Sequence, residues 1–368
     1  MNANTQKLHD LGQRLWLDNI TRDLLASGTL ARYIAELSVT GLTSNPTIFE
    51  KAIGIGASYD ESIRRPAARG LSDEGIFFEL ALQDLTQAAD LFRPVFDESD
   101  RVDGWVSLEA SPLLAADTAG TIRAAVQLHA RAGRPNLFIK IPGTAEGLPA
   151  IEQAIFEGVP INVTLLFSRE HWRAAAEAYL RGIERRIEAG LAPRVQSVAS
   201  LFISRWDAAV KEEISPPFHN RLGIAVAMRC YQAQRELLAS ERWRGLAAAG
   251  ARPQRLLWAS TGSKDPAARD TLYIEALAAP DTINTIPEST LLAFADHGQP
   301  GAVMPADGGY AEAVLEEFRG EGVDEEALAA RLQREGVQAF AKSWSGLLAR
   351  IREKRSVPGT ASATEQPQ

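Results

Sequence analysis

The chain has 368 residues, 45% hydrophobic and 23% charged, with 39 basic against 47 acidic side chains and a net charge of −8. That balance argues against a broadly basic nucleic-acid-binding surface, and no apolar run approaches the roughly 18–20 residues that span a bilayer. A single cysteine, Cys230, excludes an internal disulfide and a thiolate zinc cluster and reads as a helical core residue. The opening stretch MNANTQKLHDLGQ has no apolar signal core, so a cytoplasmic protein is expected. Monomer and homo-oligomer both stay open. Of the 39 basic residues, 32 are Arg and only 7 are Lys.

Eight short apolar runs end in polar residues: Leu15–Asn19, Leu37–Asn45, Trp105–Ala110, Leu137–Ile141, Pro160–Phe167, Val198–Ile203, Leu256–Ser260 and Thr282–Pro287. Their length and near-continuous hydrophobicity suit parallel strands buried on both faces. Helical patterns follow the third, fifth and seventh runs at Thr118–Ala132, Arg169–Ala189 and Asp265–Ala278. Alternation repeated eight times indicates an α/β fold, a (β/α)₈ TIM barrel, although a doubly wound sheet alternates as well. Residues 46–104 and 204–255 are too long for single crossovers, so helical insertions are expected there, with suitable periodicity at Leu71–Phe92 and Ile224–Leu246. Val337, Phe340, Ala341, Trp344, Leu347, Leu348 and Ile351 form one apolar helical stripe. It belongs either to a helix packed on the barrel or to a lid over its mouth. The expected organisation is one barrel domain over 1–355, followed by a disordered tail over 356–368.

Catalytic groups of such barrels come from the C-terminal ends of the strands. The polar residues there are Asp18, Thr43, Asn45, Glu109, Lys140, Asn162, Thr164, Ser200, Arg205 and Ser260. A strand end can be polar merely because the chain is leaving the core, but this set supplies an amine, two carboxylates and several hydroxyl and amide groups. Lys140 stands out. It sits inside the apolar strand Asn136-Leu137-Phe138-Ile139-Lys140-Ile141, in a chain that otherwise uses Arg for positive charge. Arg does not lose its proton, whereas burial favours the neutral amine of Lys, and a neutral amine attacks carbonyls to form a Schiff base. A lysine paired with a carboxylate for structure alone is the bland alternative. Asp18 could take a proton from a hydroxyl, and Glu109 with Thr164 could hold a water. Asn162 and Thr164, two apart on one strand, face the same way.

Arg205 follows the sixth run, and Ser260-Thr261-Gly262-Ser263-Lys264 follows the seventh. Small residues followed by a helix and a cation suit a phosphate at a helix N-terminus, the alternative being a helix-start turn with no ligand. The five histidines show no metal-ligand spacing, so no metal is expected. Gly54-Ile55-Gly56 lacks the third glycine of a dinucleotide fingerprint.

The segments Leu15-Trp16-Leu17-Asp18-Asn19, Gly41-Leu42-Thr43-Ser44-Asn45-Pro46 and Leu137-Phe138-Ile139-Lys140-Ile141-Pro142-Gly143-Thr144 resemble transaldolase motifs. So do Ile161-Asn162-Val163-Thr164-Leu165-Leu166-Phe167 and Asn284-Thr285-Ile286-Pro287-Glu288. The resemblance, to long bacterial-type transaldolases of the class I aldolase superfamily, runs from about residue 10 to 350. It implies a cofactor-free transfer of a dihydroxyacetone unit between sugar phosphates in the pentose phosphate pathway. It further implies Lys140 as Schiff-base lysine, Asp18 as general acid/base, and Glu109 and Thr164 as holders of the catalytic water. Asn45, Asn162 and Ser200, with Thr43, would bind the dihydroxyacetone moiety, and Arg205 and Ser260 the phosphate. Many members carry a second arginine where this chain has Gly262, and Lys264 is the residue that would supply the charge. Two rival readings are an aldolase that releases free dihydroxyacetone and a non-catalytic sugar-phosphate-binding barrel. The carboxylate at Glu109, where related free-aldolase sites have a neutral amide, favours transfer.

Overall fold

Each of the eight apolar runs forms a strand in the computed structural model, which describes residues 1–356. The strands are β1 Arg14–Leu17, β2 Val39–Thr43, β3 Trp105–Glu109, β4 Leu137–Pro142, β5 Ile161–Leu166, β6 Ser197–Phe202, β7 Arg255–Ala259 and β8 Ile283–Ile286. They pair in parallel in chain order, and β8 closes on β1. Closure leaves no sheet edge, and helices cover the outside, which is why these strands read as mostly apolar runs rather than strictly alternating ones.

Large side chains fill the lower barrel. The Trp105 and Phe138 rings stack with centroids 4.1 Å apart, and Trp16 lies 6.2 Å from Phe138. The Trp16 indole fits because position 41 on β2 has no side chain: a Cβ there would lie 2.5 Å from the ring. Trp16 Nε1 donates to Asp103 Oδ1 (2.9 Å), and Arg14 Nε sits 3.3 Å from the other oxygen of that carboxylate. The N-terminal end is thus plugged, and the polar strand ends open at the opposite face.

The helices match the expected intervals with three corrections. Thr118–Ala132 is present, capped by Asp117 and ended by Gly133 in the left-handed conformation (φ 57°). Arg169–Glu188 begins at the Ser168 cap. The pattern at Asp265–Ala278, however, is helical only over Leu272–Ala276. Asp265 is held by Lys211 Nζ (3.0 Å) and Asn220 Nδ2 (2.9 Å), and it accepts from the Ala267 amide (3.0 Å), so the chain turns instead of coiling. The periodicity over Ile224–Leu246 is shared between Leu222–Ala239 and Glu241–Ala248. Ser240 divides them, extended (ψ 155°) and accepting from the Trp243 amide. The third correction is an addition: Ala3–Asp10, Thr29–Glu36, Gly147–Phe156, Glu288–His297 and Ala311–Gly320 are among the helices to which the sequence reading gave no range.

The insertion over 46–104 carries Pro46–Gly54, Asp60–Ala68, Asp73–Leu91 and Arg93–Glu98. The C-terminal helix, Glu325–Ser356, is much longer than the apolar stripe that announced it. Its first half crosses the C-terminal face of the barrel, where Gln333 Nε2 donates to the carbonyls of Gly143 (3.1 Å) and Leu165 (3.0 Å). Its second half lies on the first insertion: Trp344 packs against Phe77 and Phe78 (centroids 4.8 and 5.6 Å), while Arg352 and Arg355 pair with Asp73. One helix therefore both borders the barrel mouth and packs on the first insertion. Ser356 closes it, and the rest of the expected tail, 357–368, lies outside the described residues. No helix among the described residues is long and apolar enough to cross a membrane.

Candidate active site

Side chains alternate along a strand, so residues two apart share a face, and one face of every strand points into the barrel. At the C-terminal ends this brings Asp18, Thr43, Lys140, Thr164 and Ser200 onto the wall of one cleft of about 300 Å³. Asn45, Arg205, Ser260 and Lys264, from the loops that follow β2, β6 and β7, border the same cleft. Glu109 and Asn162, the other two expected residues, lie deeper and reach the cleft through their neighbours.

Lys140 and Glu109 are register partners on β4 and β3. Lys140 Nζ lies 2.8 Å from Glu109 Oε2 and donates to the Ser44 carbonyl (3.0 Å), and both charged side chains are about 5% exposed. Burial pushes the Glu109 carboxyl above its ordinary value, and the Lys140 charge only partly opposes this. The raised carboxyl lies within hydrogen-bonding reach of the Lys140 amine. Thr164 Oγ1 is buried without a hydrogen-bond partner.

Asp18 follows β1 and accepts from Thr43 Oγ1 (2.7 Å). Burial raises its carboxyl too, opposed by that hydrogen bond and by the charges of Lys140 and Lys264. Two interior carboxylates, both raised by burial, thus stand around one amine. On the other wall, Ser200 Oγ donates to Asn162 Oδ1 (2.7 Å), and Asn162 Nδ2 donates to Ser107 Oγ (3.1 Å). This chain fixes the amide and directs it. Asn45 serves as a helix cap, its Oδ1 accepting from the Ile48 amide (3.0 Å).

Two strand ends leave ordinary β geometry. Leu165, next to Thr164, has φ 59°, and Ser260, next to Ala259, has φ 54°. Left-handed backbone at a non-glycine residue costs about 1 kcal/mol or more and persists only where surroundings enforce it. Here the Leu165 carbonyl is held by Gln333, and the Ser260 carbonyl accepts from the Ser204 amide (3.0 Å). The twist lets Ala259 and Ser260, though consecutive, both border the cleft.

The expected phosphate turn differs from the sequence reading. No helix starts at Ser260–Lys264, because the next one begins only at Leu272. Lys264 and Arg205 nevertheless both border the cleft, with the Arg205 guanidinium 5.0 Å from the Phe202 ring centroid. Burial lowers the Arg205 pKa, and the remote charge of Glu335 works against that effect. The bordering residues missed from sequence include Lys51, Phe202, Thr285 and Phe340. Lys51, one of only seven lysines, carried the same scarcity signal as Lys140 but stands on a surface helix. Phe340 was absorbed into the apolar stripe. Its ring centroid is 5.9 Å from Lys140 Nζ. A wider groove, about 530 Å³, lies between Ser168–Glu170, Arg229 and Gly322–Glu326, and none of the expected site residues borders it.

Fold and cleft together define a (β/α)₈-barrel enzyme with its polar groups gathered at the strand C-termini. A family model described as Transaldolase/Fructose-6-phosphate aldolase matches residues 15–351, and the chain belongs to that family. It is 45% identical to a transaldolase of Thermobifida fusca over 96% of this chain and 99% of that one. A transaldolase of Saccharopolyspora erythraea is 44% identical over 96% and 98% of the two chains, and one of Thiobacillus denitrificans 44% over 94% and 99%.

Proposed function

We propose that this chain is a transaldolase: it transfers a dihydroxyacetone unit from a ketose phosphate to an aldose phosphate through a Schiff base on Lys140. The natural reaction would convert sedoheptulose 7-phosphate and glyceraldehyde 3-phosphate to erythrose 4-phosphate and fructose 6-phosphate, within the cytoplasmic pentose phosphate pathway. The carrying observation is the buried amine of Lys140, 2.8 Å from Glu109 on the wall of the cleft that Asp18 also borders.

In this reading Glu109 accepts the ammonium proton, and the neutral amine adds to the donor C2 carbonyl. Loss of water from the carbinolamine gives an iminium, with Glu109 and Thr164 orienting that water. Asp18 removes the proton of the C4 hydroxyl. The C3–C4 bonding pair then moves into the iminium, which becomes an enamine, and the aldose leaves with its new carbonyl. The steps run backwards on the acceptor: the enamine carbon attacks the aldehyde, Asp18 returns the proton, and hydrolysis frees Lys140. Asn162, Ser200, Thr43 and Asn45 would hold the hydroxyls of the three-carbon unit. Arg205, Ser260 and Lys264 would hold the phosphate that both donor and acceptor carry, so one cation set serves both half-reactions. No cofactor enters this scheme.

Borohydride added with fructose 6-phosphate should fix the donor carbons to Lys140, and Lys140→Met should abolish the label. Turnover of fructose 6-phosphate should require erythrose 4-phosphate. Free dihydroxyacetone formed at the same rate without an acceptor would instead establish an aldolase, and an unlabelled Lys140 would end the Schiff-base mechanism.

A further inference from the structure

Thr285, on β8, borders the cleft, is 3% exposed, and has its own carbonyl tied to Thr261 Oγ1 (3.0 Å). Its hydroxyl oxygen is 2.6 Å from that of Thr43, which in turn is 2.7 Å from Asp18 Oδ1. A hydroxyl has one proton and an ionised carboxylate has none. With Asp18 ionised, the Thr43 proton must point to Asp18, so across the shorter contact Thr43 accepts and Thr285 donates. The order of donation is fixed: Thr285 to Thr43 to Asp18.

We propose that Thr285 is a positioning residue that sets the ionisation of Asp18 without touching it, by holding the Thr43 hydroxyl in its donating orientation. The inference rests on the reading of Asp18 as the acid–base group. A hydroxyl that accepts a hydrogen bond becomes a stronger donor, and the gain is greatest when the final acceptor is charged. The carboxylate end of the chain is therefore stabilised more than the protonated one. The other charged groups facing Asp18 are Lys140 from β4, Glu109 from β3 and Lys264 from the loop after β7. Lys51 and Arg205 border the same cleft. None of them lies in the hydroxyl chain, so substitutions within it leave those charges in place.

The test is the acid limb of the kcat/KM profile for fructose 6-phosphate in a double-substitution cycle, with every variant's far- and near-UV circular dichroism matched to the unmutated protein. Removing a donor to the carboxylate raises its pKa, so the limb must move to higher pH. Thr43→Val should move it by about one unit or more, and Thr285→Val by roughly half a unit. In the Thr43→Val background Thr285→Val should add nothing, because the link through which it acts is gone. Thr285→Ser, which keeps the hydroxyl, should leave the limb in place. Equal shifts by Thr285→Val in both backgrounds, or a shift from Thr43→Val alone, would overturn the relay while leaving Asp18 its role. A limb that Thr43→Val does not move would overturn the relay together with the assignment of Asp18.

Discussion

Removing the ring of Phe340 tests whether the C-terminal helix belongs to the chemistry or only to the fold. Phe340 is 6% exposed, and its ring centroid lies 5.9 Å from Lys140 Nζ at the mouth of the cleft. An iminium on Lys140 is a fixed cation, so a ring at this position, shielded from water, stabilises it by about 1–2 kcal/mol. Loss of that contact corresponds to roughly fivefold to thirtyfold slower adduct formation. Phe340→Ala also opens a path for water, so a larger share of the three-carbon unit should leave as free dihydroxyacetone before the acceptor arrives. The cost in stability should be about 3 kcal/mol, at the lower end for a buried phenylalanine, because water can fill a site that opens on a cleft. The helix stays docked through Trp344 and the ion pairs of Arg352 and Arg355 with Asp73. Phe340→Leu separates the two effects: it keeps bulk but has no π face, so adduct formation should slow while release of dihydroxyacetone stays low. Stopped borohydride trapping reads the first quantity, and the ratio of free to transferred dihydroxyacetone the second. Trapping in Phe340→Leu at the unmutated rate would refute the electrostatic argument, and an unchanged release ratio in Phe340→Ala would refute water exclusion.

Lys51 and Lys264 both border the cleft, where the proposed reading places a substrate phosphate. Lys51→Met and Lys264→Met should each raise KM for erythrose 4-phosphate about fivefold, the equivalent of about 1 kcal/mol, with kcat within twofold. The effect should vanish for an unphosphorylated aldehyde acceptor, and a uniform loss on both acceptors would assign these lysines to structure. In the lower barrel, Gly41→Ala places a methyl 2.5 Å from the Trp16 indole, which the stacked rings below it cannot yield to cheaply. Urea unfolding should show a loss of about 1–3 kcal/mol, and an unchanged midpoint would contradict the packing described.

The strands were legible because each lies in a short, mostly apolar run, a pattern that a sheet covered on both faces imposes on sequence directly. Positions such as Lys140 and Asp18 were legible for a related reason: a charged group stands out inside or at the end of such a run. What failed were features set by partners distant in the chain. The stretch from Asp265 has helical periodicity, yet its conformation is decided by Lys211 and Asn220, some 50 residues earlier. Ser240 interrupts a periodic stretch because its hydroxyl caps the helix that follows.

The sequence by itself determined where the strands and the helical insertions lie along the chain, and which ten polar residues stand at strand ends, since burial and chain direction are local constraints. Only the tertiary structure decided which groups face one another. It set Glu109 against Lys140, laid Phe340 over the same amine from a helix 200 residues onward, and joined Thr285 to Asp18 through Thr43. Barrel closure is the physical reason. It brings β8 beside β1 and lets a C-terminal helix cross the mouth, contacts for which neighbouring residues carry no sign.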